Sequence, residues 1–522
     1  MYKFLLCWRY LLSRYIALAS IISVMLGVAT MIVVNAVMLG FTNEMQIRIH
    51  GILADIVFQG RDLNKGFPDY PYHRELILKA AGDMIEELTP TVVVPGMISY
   101  RTNGMGETVS MPAEIVGIDE MTQGKVSDIT KYLQHPANRK QLSFNLRQDG
   151  YDISDPNNAE SAHRFELGYA GWKYRQKIAN EQKRQQKYQQ QSQPRQPQLS
   201  QQDLTDDAPM NPFGDAPPPE ITLFDPAKEQ HTGAVVGMGM SHYDRKTNID
   251  PDTGKKLVVD NLALIPGDDV MLTFPTADLK MQFQSDRFTV VDLYESKMVD
   301  YDRKLVFVPI ERLQRLRGMY DANSGIPTVT QILIKAREGV KINDLRDKLR
   351  SEFPPQMFTV NTWKDDQMLL INAVFNELAM LNVLLFMIFA VAGFGIFAIF
   401  YMIVIEKQKD IGILKSLGAS SGGVMQIFLY YSLLLGIVGS GFGVVLGLTI
   451  IRYIKEIAWF LSLILGSDVF SPEVYSFYEI PTLVDKPTVI CVVAGAILIA
   501  VLSGILPALR AARLNPVETL RG

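Results

Sequence analysis

Histidine and cysteine, the side chains that most often hold transition metals, are sparse in this chain. The six histidines stand at 50, 73, 135, 163, 231 and 242, with none of the short spacings that put two ligands on one metal. The two cysteines, Cys7 and Cys491, make no paired-Cys motif. A GxxxxGK[ST] phosphate loop, a nucleophile elbow and an HExxH helix are all missing from the sequence. What the sequence offers instead is a charged patch with an apolar stripe through it, EKQKDIGILKSLGAS at residues 406–420. Ile411, Leu414 and Leu417 recur at i, i+3 and i+6, while Glu406, Lys407, Lys409, Asp410 and Lys415 cover the remaining faces. The pattern predicts a short amphipathic helix on a membrane surface. Such a helix can seat its stripe in the groove of a soluble partner with its charges at the rim, or serve only as an interfacial anchor. Either way its chemistry is docking, not catalysis.

The patch is positioned by what precedes it. Residues 378–405, LAMLNVLLFMIFAVAGFGIFAIFYMIVI, contain one strongly polar side chain, Asn382. A bilayer core of about 30 Å needs about 20 apolar residues in a helix. Four segments meet that requirement without Asp, Glu, Lys or Arg: Ile16–Phe41, Leu378–Ile405, Val424–Ile451 and Pro487–Leu509. The expected fold class is therefore a membrane protein with four transmembrane α-helices. Lys3, Arg9 and Arg14 precede the first span, Lys407, Lys409 and Lys415 lie between the second and third, and Arg510, Arg513 and Arg521 follow the fourth. By the positive-inside rule these clusters share the cytoplasmic side. The expected layout is a cytoplasmic N-terminus and first span over 1–41, an outer domain over 42–377 and a second span over 378–405. A cytoplasmic coupling helix at 406–423, a third span at 424–451, an outer loop at 452–486, a fourth span at 487–509 and a cytoplasmic tail at 510–522 complete it. The apolar stretch of the first span is too long for a signal-peptide core, so it reads as a retained anchor. Asn35 and Asn382 read as interhelical hydrogen-bonding groups, not as a proton relay. Gly439, Gly443 and Gly447 recur every four residues, which lets helix backbones approach closely, within one subunit or between two. A net charge of -4 carries no basic excess that would suggest nucleic acid.

The 42–377 segment must fold, and its signals are those of an α+β domain. TVVVPGMISY (91–100), AEIVGID (113–119), DDVMLTF (268–274), DRFTVVDLYE (286–295), KLVFVPI (304–310) and TQILIKA (330–336) read as strands. ELILKAAGDMIEEL (75–88) reads as a helix with Leu76, Ala80, Met84 and Leu88 on one face, and VKINDLRDKLRSEF (340–353) reads as another. An insertion spans 121–232, and its Gln/Pro-rich stretch 176–222 reads as disordered or extended. Residues 359–385 run without a breaker into the second span and read as one projecting helix.

Two segments then carry a family resemblance. Residues 406–420 resemble the E-K-x-x-D-I-x-I-L-K-x-[LM]-G-A-S pattern of the FtsX-like permeases, membrane subunits of ABC transporters in the MacB/Lol/FtsX group. PALRAARLNPVETLRG (507–522) resembles the ending of the same family. VMLGFTNEMQIRIHG (37–51) and VYSFYEIP (474–481) resemble its lipoprotein-releasing, Lol-type members. The resemblance implies a MacB-like periplasmic core as the outer domain and a bacterial inner-membrane location. It implies a separate cytoplasmic ABC ATPase that carries ATP and Mg, with no cofactor in this chain, and a second permease, identical or paralogous. Glu406, Lys407, Asp410, Ile411, Leu414 and Lys415 would contact the ATPase. A hairpin holding Pro275, Lys280, Gln284 and Arg287 would meet a periplasmic chaperone or lipoprotein cargo. The implied activity is mechanotransmission: ATP-driven movement of the outer domains that releases lipoproteins from the membrane. A MacB-like efflux permease and an FtsX-like scaffold regulating a cell-wall hydrolase are the alternatives.

Overall fold

A computed structural model of the chain describes residues 15–515, apart from 63, 69, 103–106, 152–163, 193–223, 250–255, 279–281, 297, 322–323 and 466–479. The longer helices are α1 (Tyr15–Ile52), α2 (Tyr70–Ala81), α3 (Trp172–Ser192), α4 (Ile310–Arg317), α5 (Ile342–Glu352), α6 (Met368–Glu406), α7 (Gln408–Ser416), α8 (Ser421–Arg452), α9 (Ile454–Leu465) and α10 (Lys486–Arg513). The strands of the large sheet are β1 (Ile56–Gly60), β2 (Ile85–Arg101), β3 (Thr108–Ile118), β4 (Thr232–Gly237), β5 (Asp269–Pro275), β6 (Phe283–Tyr294), β7 (Leu305–Pro309), β8 (Gln331–Ala336) and β9 (Phe358–Thr362). The chain divides into two compact units, one β-rich over Arg48–Asp365, the other helical and drawn from the described residues up to Ile47 and from Asp366 onward.

In the helical unit, α1, α6, α8 and α10 are each long and apolar enough to cross a membrane. α6 begins well before the apolar run at 378, because Met368 and Leu369 already follow Gln367 into helical geometry. Residues 359–362 do not join it. They form β9, where Val360 and Thr362 alternate inward and pair with β1, so the absence of a helix breaker there was misleading. The 452–486 stretch, read as a loop, contains α9, whose apolar run IAWFLSLIL is too short to span a bilayer but long enough to form a helix.

The strand order of the β-rich unit is β9-β1-β8-β2-β3-β7-β4-β6-β5, and β5 returns to pair with β2 at Met97↔Thr273. The strands from β2 through β5 therefore close into a ring. The long β2 serves two parts of the fold: its first half pairs with β8, and its second half pairs with β3 and β5. Along β5 the burial alternates, with Val270, Leu272 and Phe274 inward, as expected of a strand with one wet face. β7 and the second half of β6, from Phe288, are instead buried on both faces, while the first half of β6 is polar and largely exposed. Phe288, Val290, Leu293, Val306 and Val308 enter one core cluster, and Val291, Tyr294, Leu305 and Phe307 enter another.

The second cluster is completed by Ile129, Leu133, Leu142, Phe144 and Leu146. Much of the 121–232 insertion is thus a cover for the outer face of the ring. Its Gln-rich part is also partly ordered. α3 carries the helix through Ser192, the first part of the 176–222 stretch that was expected to be disordered or extended. Gln, Lys, Arg, Glu and Ala are good helix formers even when they bury nothing, and Arg175 anchors the first turn. Its guanidinium donates to Asp269 Oδ1 at 2.7 Å, Asp269 Oδ2 at 3.2 Å and the Gly267 carbonyl at 3.0 Å. Residues 193–223 lie outside the described part. A second correction concerns 75–88. α2 stops at Ala81 and Ile85–Leu88 open β2, with Ile77 and Ala81 as the buried pair in place of Leu76 and Ala80. Gly82 and exposed Asp83 supply the break that the apparent periodicity concealed.

The chain enters and leaves this unit beside one carboxylate. Asp55 Oδ1 meets His50 Nε2 of the last turn of α1 at 2.5 Å, and Asp55 Oδ2 accepts from the Ala336 N–H of β8 at 2.8 Å. The Asp55 carbonyl accepts from Trp363 N–H, just after β9, and the Trp363 ring stacks on His50 with centroids 5.2 Å apart. Burial raises the Asp55 pKa, but the hydrogen bonds from His50 and Ala336 outweigh it and hold the carboxyl below its ordinary value. Elsewhere, Arg164 bridges buried Asp260 at 3.1 Å and Glu295 at 2.8 Å.

Two outcomes are expected. Replacing Arg164 with Met removes the guanidinium that bridges Asp260 and Glu295, and should lower unfolding stability by about 3–5 kcal/mol in chemical denaturation. The depressed pKa of Asp55 contributes stability that is complete above the unfolded value of about 4 and is lost as pH falls through the folded value. The wild-type melting temperature should therefore drop more steeply below about pH 4 than that of Asp55→Asn.

Candidate functional site

α7 is a helix bounded by local chemistry on both sides. Its C-terminus closes with Ala419 N–H donating to the Leu414 carbonyl at 3.0 Å and Gly418 N–H to the Lys415 carbonyl at 3.1 Å. Gly418 sits at φ +97°, the left-handed conformation that this paired closure requires. Two residues later Ser420 caps α8, its hydroxyl accepting from Gly423 N–H at 3.1 Å. The four residues LGAS therefore stop one helix and start the next, which fixes the direction in which α7 lies.

The expected stripe splits into two faces. Ile411 is 3% exposed and belongs to the core cluster that also holds Val424, Phe428, Ala508 and Ala511. Leu414 and Leu417 point away from that core, joined by Ile413, and Leu417 is 80% exposed. Ile413, Leu414 and Leu417 fall at i, i+1 and i+4, a second apolar face that the i, i+3, i+6 pattern obscured. Lys415 does not stand at the rim. Its ammonium donates to the Ala512 carbonyl at 2.8 Å and the Leu514 carbonyl at 2.7 Å, at the C-terminal end of α10. It thereby satisfies carbonyls that the helix leaves without intrahelical donors, at the negative end of its dipole. Lys407 donates to Asp410 Oδ2 at 2.6 Å, and Glu406, Lys409 and Asp410 are exposed. On α10, the Arg510 guanidinium lies 4.4 Å from the centre of the Tyr401 ring of α6.

Gly439, Gly443 and Gly447 all face α1. A methyl group at Gly439 would fall 2.8 Å from Val24 Cβ, at Gly443 2.7 Å from Val28 Cβ, and at Gly447 3.3 Å from the Ala29 backbone. The other side of α8 meets α10, where a methyl at Gly504 would collide with Ser432 Oγ and one at Gly436 would lie 3.1 Å from Ala500 Cβ. A further contact joins two motifs that looked unrelated in sequence. Gly40 of VMLGF packs so closely on Pro481 that a Cβ would lie 2.5 Å from its carbonyl oxygen, and Leu483 N–H donates to the Ala36 carbonyl at 2.8 Å.

In the β-rich unit, the candidate hairpin is the β5–β6 turn. Pro275 pairs with Phe283, Gln284 with Phe274 and Arg287 with Met271, while Lys280 lies outside the described residues. Phe283, the first residue of β6, is exposed, while Thr276 and Ala277 after β5 are buried. Among the described residues, no group of three His, Cys, Asp or Glu side chains could hold a metal ion. The basic residues ahead of α1, the 474–479 stretch and the tail beyond 515 also lie outside the described residues.

Position 418 provides a direct test of this local geometry. Val there strains the left-handed backbone by about 1–3 kcal/mol, whereas Asn tolerates it. Melting temperatures of purified protein in detergent should rank Gly418 above Gly418→Asn, and that above Gly418→Val.

Residues 382–516 match the FtsX-like permease C-terminal family. The lipoprotein-releasing system transmembrane protein LolC of Xylella fastidiosa strain 9a5c is 29% identical over 235 residues, covering 45% of this chain and 55% of that protein. LolE of Haemophilus influenzae strain Rd is 26% identical over 200 residues, 37% of this chain and 46% of the relative. The macrolide export ATP-binding/permease protein MacB of Chromobacterium violaceum is 33% identical over 132 residues, 25% of this chain and 17% of the relative. The chain thus spans about half the length of the Lol relatives it matches. It carries an FtsX-like permease C-terminal domain and fits the FtsX-like permeases of ABC transporters, with Lol-type proteins among its relatives.

Proposed function

We propose that this chain is the permease subunit of a mechanotransmission-type ABC transporter that releases lipoproteins from the inner membrane. The observation that carries the reading is the two-faced seating of α7. Ile411 and Lys415 lock the helix to the unit's own core and to the end of α10, while Ile413, Leu414 and Leu417 face outward. A helix held on one side and apolar on the other is suited to take a push from a soluble partner, and an ATPase with a complementary groove fits it. In this reading ATP and Mg belong to that partner, and two permeases stand over two ATPases. Both termini and α7 are cytoplasmic. Force applied at α7 passes to α10 through Lys415 and to the β-rich unit through α1 and α6, the two chain connections between the units.

The Lol-type relatives support lipoproteins as the cargo, with the β5–β6 hairpin as the contact for cargo or chaperone. The MacB relative supports an export permease as the second reading.

Substitution on the two faces of α7 separates the roles. Leu414→Asp with Leu417→Asp should leave protein yield and melting temperature near wild type yet abolish co-purification of the ATPase. Ile411→Asp should instead lower the melting temperature and yield, because it buries a charge in the helical core. Retained ATPase binding by the Leu414/Leu417 double variant would sink the docking role.

A further inference from the structure

α9 has no assigned role in a permease mechanism, and its surface is unusual. It has 12 residues, IKEIAWFLSLIL, and none of them is buried. Its only charges, Lys455 and Glu456, lie in the first turn. Ile454, Ala458 and Ser462, at i, i+4 and i+8, are the half-buried row turned toward the protein. Phe460, Leu463 and Ile464 point away, and Ile464 is 67% exposed. In water such a face would be a continuous apolar patch next to a polar loop.

We propose that α9 lies in the membrane interface, with Phe460, Leu463 and Ile464 set into the acyl–headgroup boundary of the phospholipid. The choice of occupant follows from three features. α8 is long and apolar enough to span the bilayer and ends at Arg452, and α9 begins at Ile454, so α9 follows directly on a span-length helix. α8 also exposes apolar side chains in its last turns, among them Val445 and Leu448. Arg452, Tyr453, Lys455 and Trp459 flank the junction, and basic and aromatic residues of these types concentrate at the headgroup level. A helix whose exposed residues beyond the first turn are apolar, with its charges confined to that turn, needs an apolar surrounding along its length and a polar one at its start. This inference does not depend on the cargo or on the ATPase, and it gives the unit a lipid contact outside its four spans.

Trp459 reports on the environment without any added label. Full-length protein and its Trp459→Phe variant are placed in phosphatidylcholine nanodiscs, and the difference in fluorescence isolates Trp459. Lipids brominated at carbons 6 and 7 should quench that difference signal more than lipids brominated at carbons 11 and 12, and aqueous iodide should quench it weakly. Strong quenching by iodide with none by brominated lipid would place α9 in water and overturn the proposal. Protection from both quenchers would overturn it too, by showing that residues 466–479 or a second copy of the chain covers the face. Phe460→Asp with Ile464→Asp should reduce bromolipid quenching of the Trp459 signal. Unchanged quenching in that variant would show that these side chains do not hold the helix in the lipid.

Discussion

In a bilayer the lipid tails are as apolar as leucine, so helices gain little by hiding from solvent and must instead fit one another closely. The glycines of α8 meet that constraint on two sides at once. Gly439, Gly443 and Gly447 admit α1, and Gly436 together with Gly504 and Ser432 admits α10. Everything described for α7 depends on this packing. Ile411 has a core to enter only because α8 and α10 approach closely, and Lys415 can reach the end of α10 only because that end is held beside it.

The β-rich unit solves a different problem. A ring of strands has an inner face that fills itself and an outer face that must be solvated or covered. Here a long insertion does the covering, with Ile129, Leu133, Leu142, Phe144 and Leu146 laid over β3, β7, β4 and β6. Polar anchors hold the cover in place. Asn138 Nδ2 donates to buried Asp292 at 2.8 Å, and Tyr151 donates to the Val291 carbonyl at 2.7 Å. Burial pushes the Asp292 carboxyl up to about 7 in spite of these donors. Its neighbours are hydrogen-bond donors, which favour the carboxylate and oppose the effect of burial.

Some of this was legible in the sequence, for physical reasons. Long charge-free runs have few interpretations, so the spans could be read, and strands such as DVMLTF announced themselves by alternation. The runs of β7 and of the second half of β6 could be read as strands, but not as strands covered on both faces. The α7 stripe could be read as apolar, but not divided. Ile411 and Leu414 are three residues apart on a helix, and only the position of α8 and α10 decides which of them is inside. The first part of the Gln-rich stretch, through Ser192, is helical because low hydrophobicity excludes a core without excluding a solvated helix anchored at one end by Arg175. The contact of Gly40 with Pro481 joins residues too distant in sequence for periodicity to connect.

The closing of β5 onto β2 has a consequence for how such a domain survives in a crowded compartment. Unsatisfied strand edges recruit foreign strands, and a ring presents none along its circumference. Among the described strands of the large sheet, β9 has a single neighbour, β1. That strand is only five residues long, and Arg350 of α5 donates to its Val360 carbonyl at 2.7 Å and its Asn361 side chain at 2.9 Å. At that short border of the large sheet, a strand added from outside would meet a guanidinium already in place.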